Sequence, residues 1–407
     1  MRYYTNLELA KRFGVSANTI GYWIEDSVLG KNELEVVQTK QKTTDKVVYK
    51  IVSNQRNLEE LQRLYSKGRK NQNTLNYKKI NLTHNDINIF TEEEISEIIN
   101  SIDEGCVPLK FSYMNGGAVE WDEFVNEGYK ANTYPTTKRT EQLLRAMLQN
   151  IKLLNPLNKK INIFDVGCGN FLPVSKLLNE LEMDGTLNKY IGIDISKELL
   201  SIAKINALKV IPEHKIVMTQ RDFESANLLY YSNFYKEDNT INIFLFLGGT
   251  LGNYVDNSVV LKHLRDSMMV DDLLLLTCRN DVESTIDIFN SISEKNERIL
   301  WIPQLFGFDT DDCVLTTWYN HEKKVKYLGI EIKKDYSIKY TYESGSTKNI
   351  EIKSGQKLIL VFYKINSVES IICKLGELGL KMKQYITTET GETGLIIFTR
   401  KPLKDRL

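Results

Sequence analysis

INIFDVGCGN, residues 161–170, reads as a buried strand that stops on an acid and a glycine turn. Its apolar residues run up to Asp165 and Val166. Gly167, Cys168 and Gly169 follow, where the backbone has to reverse or come close to another molecule. From residue 137 onward the same rhythm recurs. KYIGIDIS (189–196) carries a second strand to Asp194, 27 positions after Gly167, and HKIVMTQRDFES (214–225) carries a third to Asp222 and Phe223. FLFLGGTLGNY (244–254) is a fourth strand and DDLLLLTC (271–278) a fifth. Strands alternating with helical stretches predict an α/β fold. It would be a doubly wound, Rossmann-like parallel sheet with its ligand beyond the carboxyl ends of the strands.

The acids at those strand ends indicate what the ligand is. An acid closing the second strand accepts both hydroxyls of a ribose, which assigns that task to Asp194 beside the turn of Asp165, Gly167, Cys168 and Gly169. A dinucleotide site also wants a third glycine to pack helix on strand; Leu172 stands there, followed by Pro173. Asp222 next to Phe223 suits an adenine, the acid taking the exocyclic amine and the ring lying on its face. Ribose and adenine without a pyrophosphate grip point to S-adenosylmethionine as cofactor. The fourth-strand loop would then lie beside the sulfonium. Gly248 and Gly249 would let backbone pass the reacting groups, and Thr250 and Asn253 would face a polar substrate. The plainer alternative is a tight turn in which Asn253 caps the next helix.

At 407 residues the chain is long for one domain, and its composition is that of a globular protein with a full core. No apolar run reaches the length of a membrane helix, and MRYYTNLELAKRFG lacks the apolar centre of a signal peptide. The expected location is the cytoplasm, with no membrane partner. Cys106, Cys168, Cys278, Cys313 and Cys373 are scattered and never spaced as CxxC, and His84, His214, His263 and His321 are equally dispersed. Neither a disulfide framework nor a metal site is expected.

Charge is unevenly spread. Residues 1–80 hold 15 Lys/Arg against 8 Asp/Glu, and the rest hold 38 against 45. This predicts a basic appended module with its own anionic partner. TNLELAKRFGVSANTIGYWIEDSVLG has the grammar of a helix-turn-helix. Thr5 or Asn6 caps a first helix with Leu7, Ala10 and Phe13 inward, and Ser16 caps a second with Ile20, Trp23 and Ile24 facing back. The stretch resembles the MerR-type DNA-binding module over about residues 3–70, through Leu9, Ala10, Gly14, Val15, Ser16, Thr19, Ile20, Tyr22 and Trp23. That resemblance implies DNA as partner and a wing in VVQTKQKTTDKVVYKIV, with Lys40, Lys42, Lys46 and Lys50 near phosphate. Gly21 stands where the family usually has an arginine. A helix over 56–70 offers a pairing element for a homodimer, without sustained heptads. A polar, basic linker is expected around residues 68–82.

LGGTLGNY resembles the signature of the ergothioneine-pathway histidine Nα-methyltransferases, whose relatives include fungal N-methyltransferases acting on prenylated tryptophan. KFSYMNGGAVEWDEF (110–124) with TYPTTKRTEQLL (133–144) matches a second signature of that family, and the likeness spans about residues 85–400. It implies cofactor contacts from Gly167, Cys168, Asp194, Asp222 and Phe223. Tyr113 and Asn253 would hold the substrate's amine and carboxylate, with Trp121 and Tyr134 lining the pocket. After the helix-turn-helix module at 1–75, it also implies a discontinuous substrate lid at 85–136 and 285–364. The core would run over 137–284 and close with 365–407. Two departures stand out. Apolar Leu358 and Leu360 occupy the register where the histidine enzymes read the imidazole with a glutamate and a serine, and the chain between Trp121 and Tyr134 is longer.

The expected function is therefore an S-adenosylmethionine-dependent N-methyltransferase acting on an amino acid or related small amine with an apolar or aromatic side chain, with Tyr113 relaying the amine's proton. A nucleic-acid methyltransferase would need an Asp/Asn-Pro-Pro-aromatic loop or a Pro-Cys nucleophile, and neither occurs. A regulator whose methyltransferase-like domain senses a metabolite is the competing reading.

Overall fold

The computed structural model describes residues 3–4, 6–13, 17–28, 31–40, 47–72, 77–132, 136–254, 256–279 and 297–400. The chain divides into two compact units, Met1–Tyr77 and Lys78–Leu407.

The first unit runs β1 (Tyr3–Tyr4), α1 (Asn6–Phe13), α2 (Ala17–Val28), β2 (Val36–Lys40), β3 (Val47–Val52) and α3 (Gln55–Gln72), with strands in the order β1-β3-β2. Leu9, Ala10 and Phe13 of α1 meet Ile20 and Ile24 of α2 in a core shared with Leu34, Ile51 and Leu61. Leu9 therefore joins Ala10 and Phe13 on the inward face of α1. Asn57 is fully buried at the start of α3, where its amide donates to the carbonyls of Glu35 and Val52 and accepts from the Glu35 N–H at 2.8 Å. One satisfied amide thereby ties the helix to the hairpin. Lys40 is the last residue of β2; Lys42, Lys46 and the turn of Gly14, Val15 and Ser16 lie outside the described residues.

The second unit opens with β4 (Lys78–Thr83), which corrects the expected linker: helix persists to Gln72, and strand begins at Lys78. β4 is followed by α4 (Glu92–Glu104), α5 (Gly116–Ala131), α6 (Thr136–Gln149) and α7 (Ile151–Leu154). Then come β5 (Lys160–Val166), α8 (Ser175–Met183), β6 (Leu187–Asp194), α9 (Lys197–Ala207), β7 (Ile216–Gln220), α10 (Leu229–Phe234), β8 (Thr240–Phe246), α11 (Ser258–Ser267) and β9 (Leu273–Arg279). A short helix, Trp301–Leu305, precedes β10 (Cys313–Asn320), β11 (Val325–Ile332), β12 (Tyr336–Thr341), β13 (Thr347–Ile352) and β14 (Lys357–Lys364). A helix at Val368–Glu377 leads into β15 (Leu380–Thr387) and β16 (Thr393–Arg400).

Seven strands form one sheet in the order β15-β16-β9-β8-β5-β6-β7. β5 through β9 pair in parallel and β16 joins antiparallel. The order reverses between β5 and β8, which opens the crevice where such sheets bind ligands. Helices cover both faces, so the strands are apolar on both sides. Leu177, Leu178 and Leu143 pack against Ile163, Leu245 and Leu275 on one face. Leu261, Leu264, Ile371 and Leu375 pack against Phe164, Phe244 and Leu274 on the other. The asparagines inside the strands satisfy one another. Asn188 donates to Asn162, Asn162 to Asn242 and Asn242 to Asp272, at 2.9 to 3.1 Å, with Lys236 neutralising the fully buried Asp272. This polar ladder spans β6, β5, β8 and the start of β9, away from the strand ends that carry the site.

Residues 78–131 and 297–364 together build a second subdomain from two three-stranded sheets, β10-β11-β14 and β13-β12-β4, with α4 packed into it through Ile95, Ile98, Ile99 and Ile102. β4 pairs in parallel with β12, placing Ile80 opposite Ile338 and Leu82 opposite Tyr340. Lys78 reaches Asp309 at 2.7 Å and the buried Asp312 at 3.3 Å. Among the described residues no helix is long and apolar enough to cross a membrane, and no disulfide joins the cysteines.

Residues 78–407 expressed alone are expected to unfold in one cooperative thermal transition. A chain starting at His84, without β4 and the Lys78 ion pairs, is expected to melt more than about 2 °C lower, since about 1 kcal/mol moves Tm by about 1–2 °C in a unit of this length. Equal melting temperatures would return residues 78–83 to the linker.

Candidate active site

Beyond the carboxyl ends of β5, β6 and β8 lies a cavity of about 690 Å³. Val166 ends β5, and Gly167 turns at φ +74°, donating its N–H to the Ile193 carbonyl at 2.8 Å. The Gly169 N–H donates to Asp194 Oδ2 at 3.0 Å, and the Ser196 N–H donates to Asp194 Oδ1 at 3.1 Å. Asp194 is 6% exposed, and burial raises its carboxyl above the ordinary value while these backbone donors hold it down. Such a carboxylate is oriented by its own turn and keeps lone pairs for hydroxyl donors.

Gly169 has φ +52°, and a Cβ there would come 2.7 Å from the Trp121 ring of α5. Glycine is thus required by conformation and by the ring seated on it. Asn170 donates to Asp122 at 2.8 Å, a second tie between this turn and α5. Trp121 meets Tyr113 edge to face at 6.0 Å.

After β7, Asp222 accepts the Glu224 N–H at 2.8 Å. Phe223 packs edge-on against Phe246 at 5.7 Å and Tyr254 at 6.4 Å, a floor suited to a flat ring.

The loop after β8 turns through Gly248 and Gly249, both at positive φ, into a tight turn at Thr250–Asn253. Gly248 lines the cavity, and a Cβ there would meet nothing within 4 Å. A Cβ on Gly249 or Gly252 would instead run into the ring of Tyr363 from β14. These two glycines serve Tyr363, where sequence reading gave Gly249 to the ligand. Asn253 lines the cavity; the N-cap position of α11 belongs to Asn257, so the capping alternative falls.

Tyr113, Trp121, Asp165, Gly167, Cys168, Gly169, Asp194, Asp222, Phe223, Gly248, Thr250 and Asn253 all line this one cavity. Tyr134 lies outside the described residues, while Thr136, Thr137 and Thr140 just beyond it line the wall. Leu358 and Leu360 pack in the subdomain core. The β14 residues on the cavity are Val361, Phe362 and Tyr363. A register shift at Leu328/Gly329 pairs Leu328 with Val361 but Gly329 with Ile359, which displaces the register that sequence alone suggests. Sequence reading also missed Phe124, Ile299, Trp301 and Leu328, which form an apolar far wall, and Glu224, Tyr254 and Arg279. Arg279 had a signal, since it is a cation closing an otherwise apolar strand. Burial pushes up the Glu224 carboxyl, with the Asp222 charge adding to it, and the Tyr254 hydroxyl. Burial likewise pushes the Cys168 thiol well up, which leaves it unsuited to nucleophilic work. Among the described residues no group of three or more His, Cys, Asp or Glu could hold a metal ion.

A mostly parallel doubly wound sheet, a glycine turn and acids at successive strand ends define the Rossmann-like class of methyltransferases that use S-adenosylmethionine. The family model described as histidine-specific methyltransferase, SAM-dependent, matches residues 92–400, and the chain belongs to that family. Its cofactor is S-adenosylmethionine. Among solved structures the chain is similar to magnesium protoporphyrin IX methyltransferase (ChlM) from Synechocystis PCC 6803 with bound SAH. The identity is 12% and the TM-score 0.41, over 72% of this chain and 98% of that one. It is similar to an S-adenosylmethionine-dependent methyltransferase from Clostridium acetobutylicum ATCC 824 at 10% identity and TM-score 0.39, over 69% and 99%. The CcbJ methyltransferase from Streptomyces caelestis gives 9% and 0.35, over 62% and 89%. Among curated proteins no sequence match is found.

Asp165 supplies a pH test. It is 3% exposed, accepts from the Tyr190 hydroxyl at 3.0 Å, and burial raises its carboxyl from 3.8 to about 7. The fold favours the protonated form, so the stability tied to this group is full below about pH 4 and is lost as pH rises towards 7. Asp165→Asn removes that loss. The Tm difference between variant and parent, both without cofactor, is expected to become more positive by at least about 2 °C between pH 5 and pH 8. A difference independent of pH would mean that Asp165 is ionised throughout.

Proposed function

We propose that the chain transfers a methyl group to the amino group of an amino acid or related small amine with an apolar or aromatic side chain. The observation that carries this reading is that one cavity is lined both by Asp194, Asp222 and Phe223, which end or follow β6 and β7, and by Tyr113 and Asn253 together with apolar Phe124, Ile299, Trp301, Leu328, Val361 and Phe362.

In this reading Asp194 takes the ribose hydroxyls, Asp222 and Phe223 hold the adenine, and Asp165, Gly167, Cys168, Gly169 and Gly248 shape the methionyl channel. The positive φ at Gly167 and Gly169 and the open side of Gly248 support that fit. The bound cofactor supplies a methyl group already activated on a sulfonium. The chain's work is alignment and removal of water. Asn253 and Thr250 orient the acceptor, and Trp121 closes the side. Tyr113 accepts a hydrogen bond from the amine and passes its proton outward, because the amine attacks only as a free base. Residues 85–136 and 285–364 act as the substrate lid over a core of 137–284 and 365–407.

Incubating the protein with S-adenosylmethionine and a panel of amino acids and amines is expected to give +14 mass increments on an apolar or aromatic member. Asn253→Ala is expected to lower the rate by at least about 10-fold, the scale of one lost polar anchor. Increments that survive Asn253→Ala unchanged would remove it from the site.

The first unit is read as a MerR-like winged helix-turn-helix with DNA as partner, Lys40, Lys42 and Lys46 near phosphate, and α3 as the element of a homodimer. The buried contacts of α1 with α2, the antiparallel hairpin and the basic balance of residues 1–80 support it. Cytoplasmic location belongs to the same reading. Its separateness as a unit also favours a second reading, a regulator whose methyltransferase-like domain senses a metabolite. A gel shift with DNA upstream of the protein's own gene is expected to show binding that weakens steeply as salt rises. No shift at low salt would remove both the DNA partner and the regulator.

A further inference from the structure

Arg279 is the last residue of β9, lines the cavity and is only 9% exposed. Its Nη2 donates to Thr136 Oγ1 at 2.9 Å, and its guanidinium carbon lies 5.2 Å from the centre of the Tyr363 ring. Nη1 is buried with no hydrogen-bond partner, and no ion pair is made to Arg279, among the described residues. A guanidinium keeps its charge at any working pH, and a buried cation without a counter-ion is strongly unfavourable. Thr136 orients the group and Tyr363 stacks on it, so the site is built to hold the guanidinium in place.

We propose that Arg279 is the anion anchor of the methyl acceptor. It takes a carboxylate through Nη1, which narrows the acceptor to amino acids as opposed to plain amines. This rests on the methyltransferase reading of the same cavity. Strand order argues that the carboxylate belongs to the acceptor and not to the cofactor's methionyl end. Asp194 closes β6 and Asp222 follows β7, while Arg279 closes β9, which is three strands from β6 in the order β9-β8-β5-β6. At about 4.8 Å per strand that is roughly 14 Å beyond the ribose acid, past the β8 loop that bears Gly248 and Asn253. Tyr363 bridges Arg279 and that loop, its ring centre 5.2 Å from the guanidinium carbon while the same ring covers Gly249 and Gly252. A carboxylate held there sets the neighbouring amine against Asn253. A single cation with one unmet donor nitrogen matches a monoanion better than a phosphate, which wants several donors.

The test pairs acceptors that differ only in the carboxylate. Tryptophan, phenylalanine, tyrosine, leucine and histidine are titrated into the SAH-loaded full chain by calorimetry beside tryptamine, phenethylamine, tyramine, isopentylamine and histamine. At least one amino acid is expected to bind at least about 10-fold more tightly than its amine, the scale of a lost charge-assisted hydrogen bond. That gap should vanish in Arg279→Met and shrink in Arg279→Lys, which keeps the charge without the fork, while SAH affinity stays near the parent's and the Tm of Arg279→Met does not fall. Amines binding as well as amino acids, no binding by any member, or a gap that survives Arg279→Met would each overturn the anchor. So would a loss of SAH affinity in its place, which would assign Arg279 to the cofactor's own carboxylate. If Arg279→Met does not fold, the amino-acid to amine ratio in the parent and in Arg279→Lys decides. Mass increments are read separately. Methylation of amines without preference for a carboxylate leaves the methyltransferase reading standing and removes the anchor. Arg279-dependent binding without increments does the reverse.

Discussion

Aromatic rings seated on glycine backbone hold the two layers of the second unit together. Trp121 of α5 lies on Gly169, in the turn after β5, and Tyr363 of β14 lies on Gly249 and Gly252, in the turn after β8. Each contact joins the discontinuous subdomain to a strand-end turn of the sheet, and the cavity is the space between them. A Cβ at any of these glycines would displace a ring and with it a wall of the cavity. Burying a ring on bare backbone removes much apolar surface without asking another side chain to move.

This arrangement divides the chemistry. Asp194 is held by the sheet's own turns, because the N–H groups of Gly169 and Ser196 orient its carboxylate. Tyr113, Trp121, Phe362 and Tyr363 belong to the subdomain, and they complete the cavity from the other side. The sheet's side of the cavity is thus carried by local turns following each strand. The subdomain's side depends on pieces more than 200 residues apart in sequence, brought together by the β4–β12 and β11–β14 pairings.

Much of the sheet and of the cavity lining at its strand ends was legible because each signal is local. A strand, its terminal acid and its glycine lie within ten residues, and parallel sheets place such ends side by side. The subdomain's share of the cavity lining was legible only where a motif carried it, at Tyr113 and Trp121, as was Asn253 in the β8 loop. Leu358 and Leu360 misled because both turn into the subdomain core, while Val361, Phe362 and Tyr363, beyond the extra residue that the pairing of β11 with β14 admits, line the cavity; no property of either strand alone announces that bulge. The linker expected at 68–82 failed for a related reason. Lys78–Thr83 is polar at alternate positions and becomes a strand only because β12 offers an edge some 250 residues later.

Sequence by itself determined the strand and helix alternation, the acids at the strand ends, the cofactor class and the existence of a basic first module, since these follow from periodicity, glycine placement and charge. Tertiary structure alone decided that the glycines of the β8 loop answer to Tyr363 and that the far wall is apolar. It also decided that Arg279 ends buried beside Thr136 with one nitrogen unmet. Those outcomes depend on which surfaces meet, and a side chain's burial and partners are set by residues that the chain brings near it only on folding.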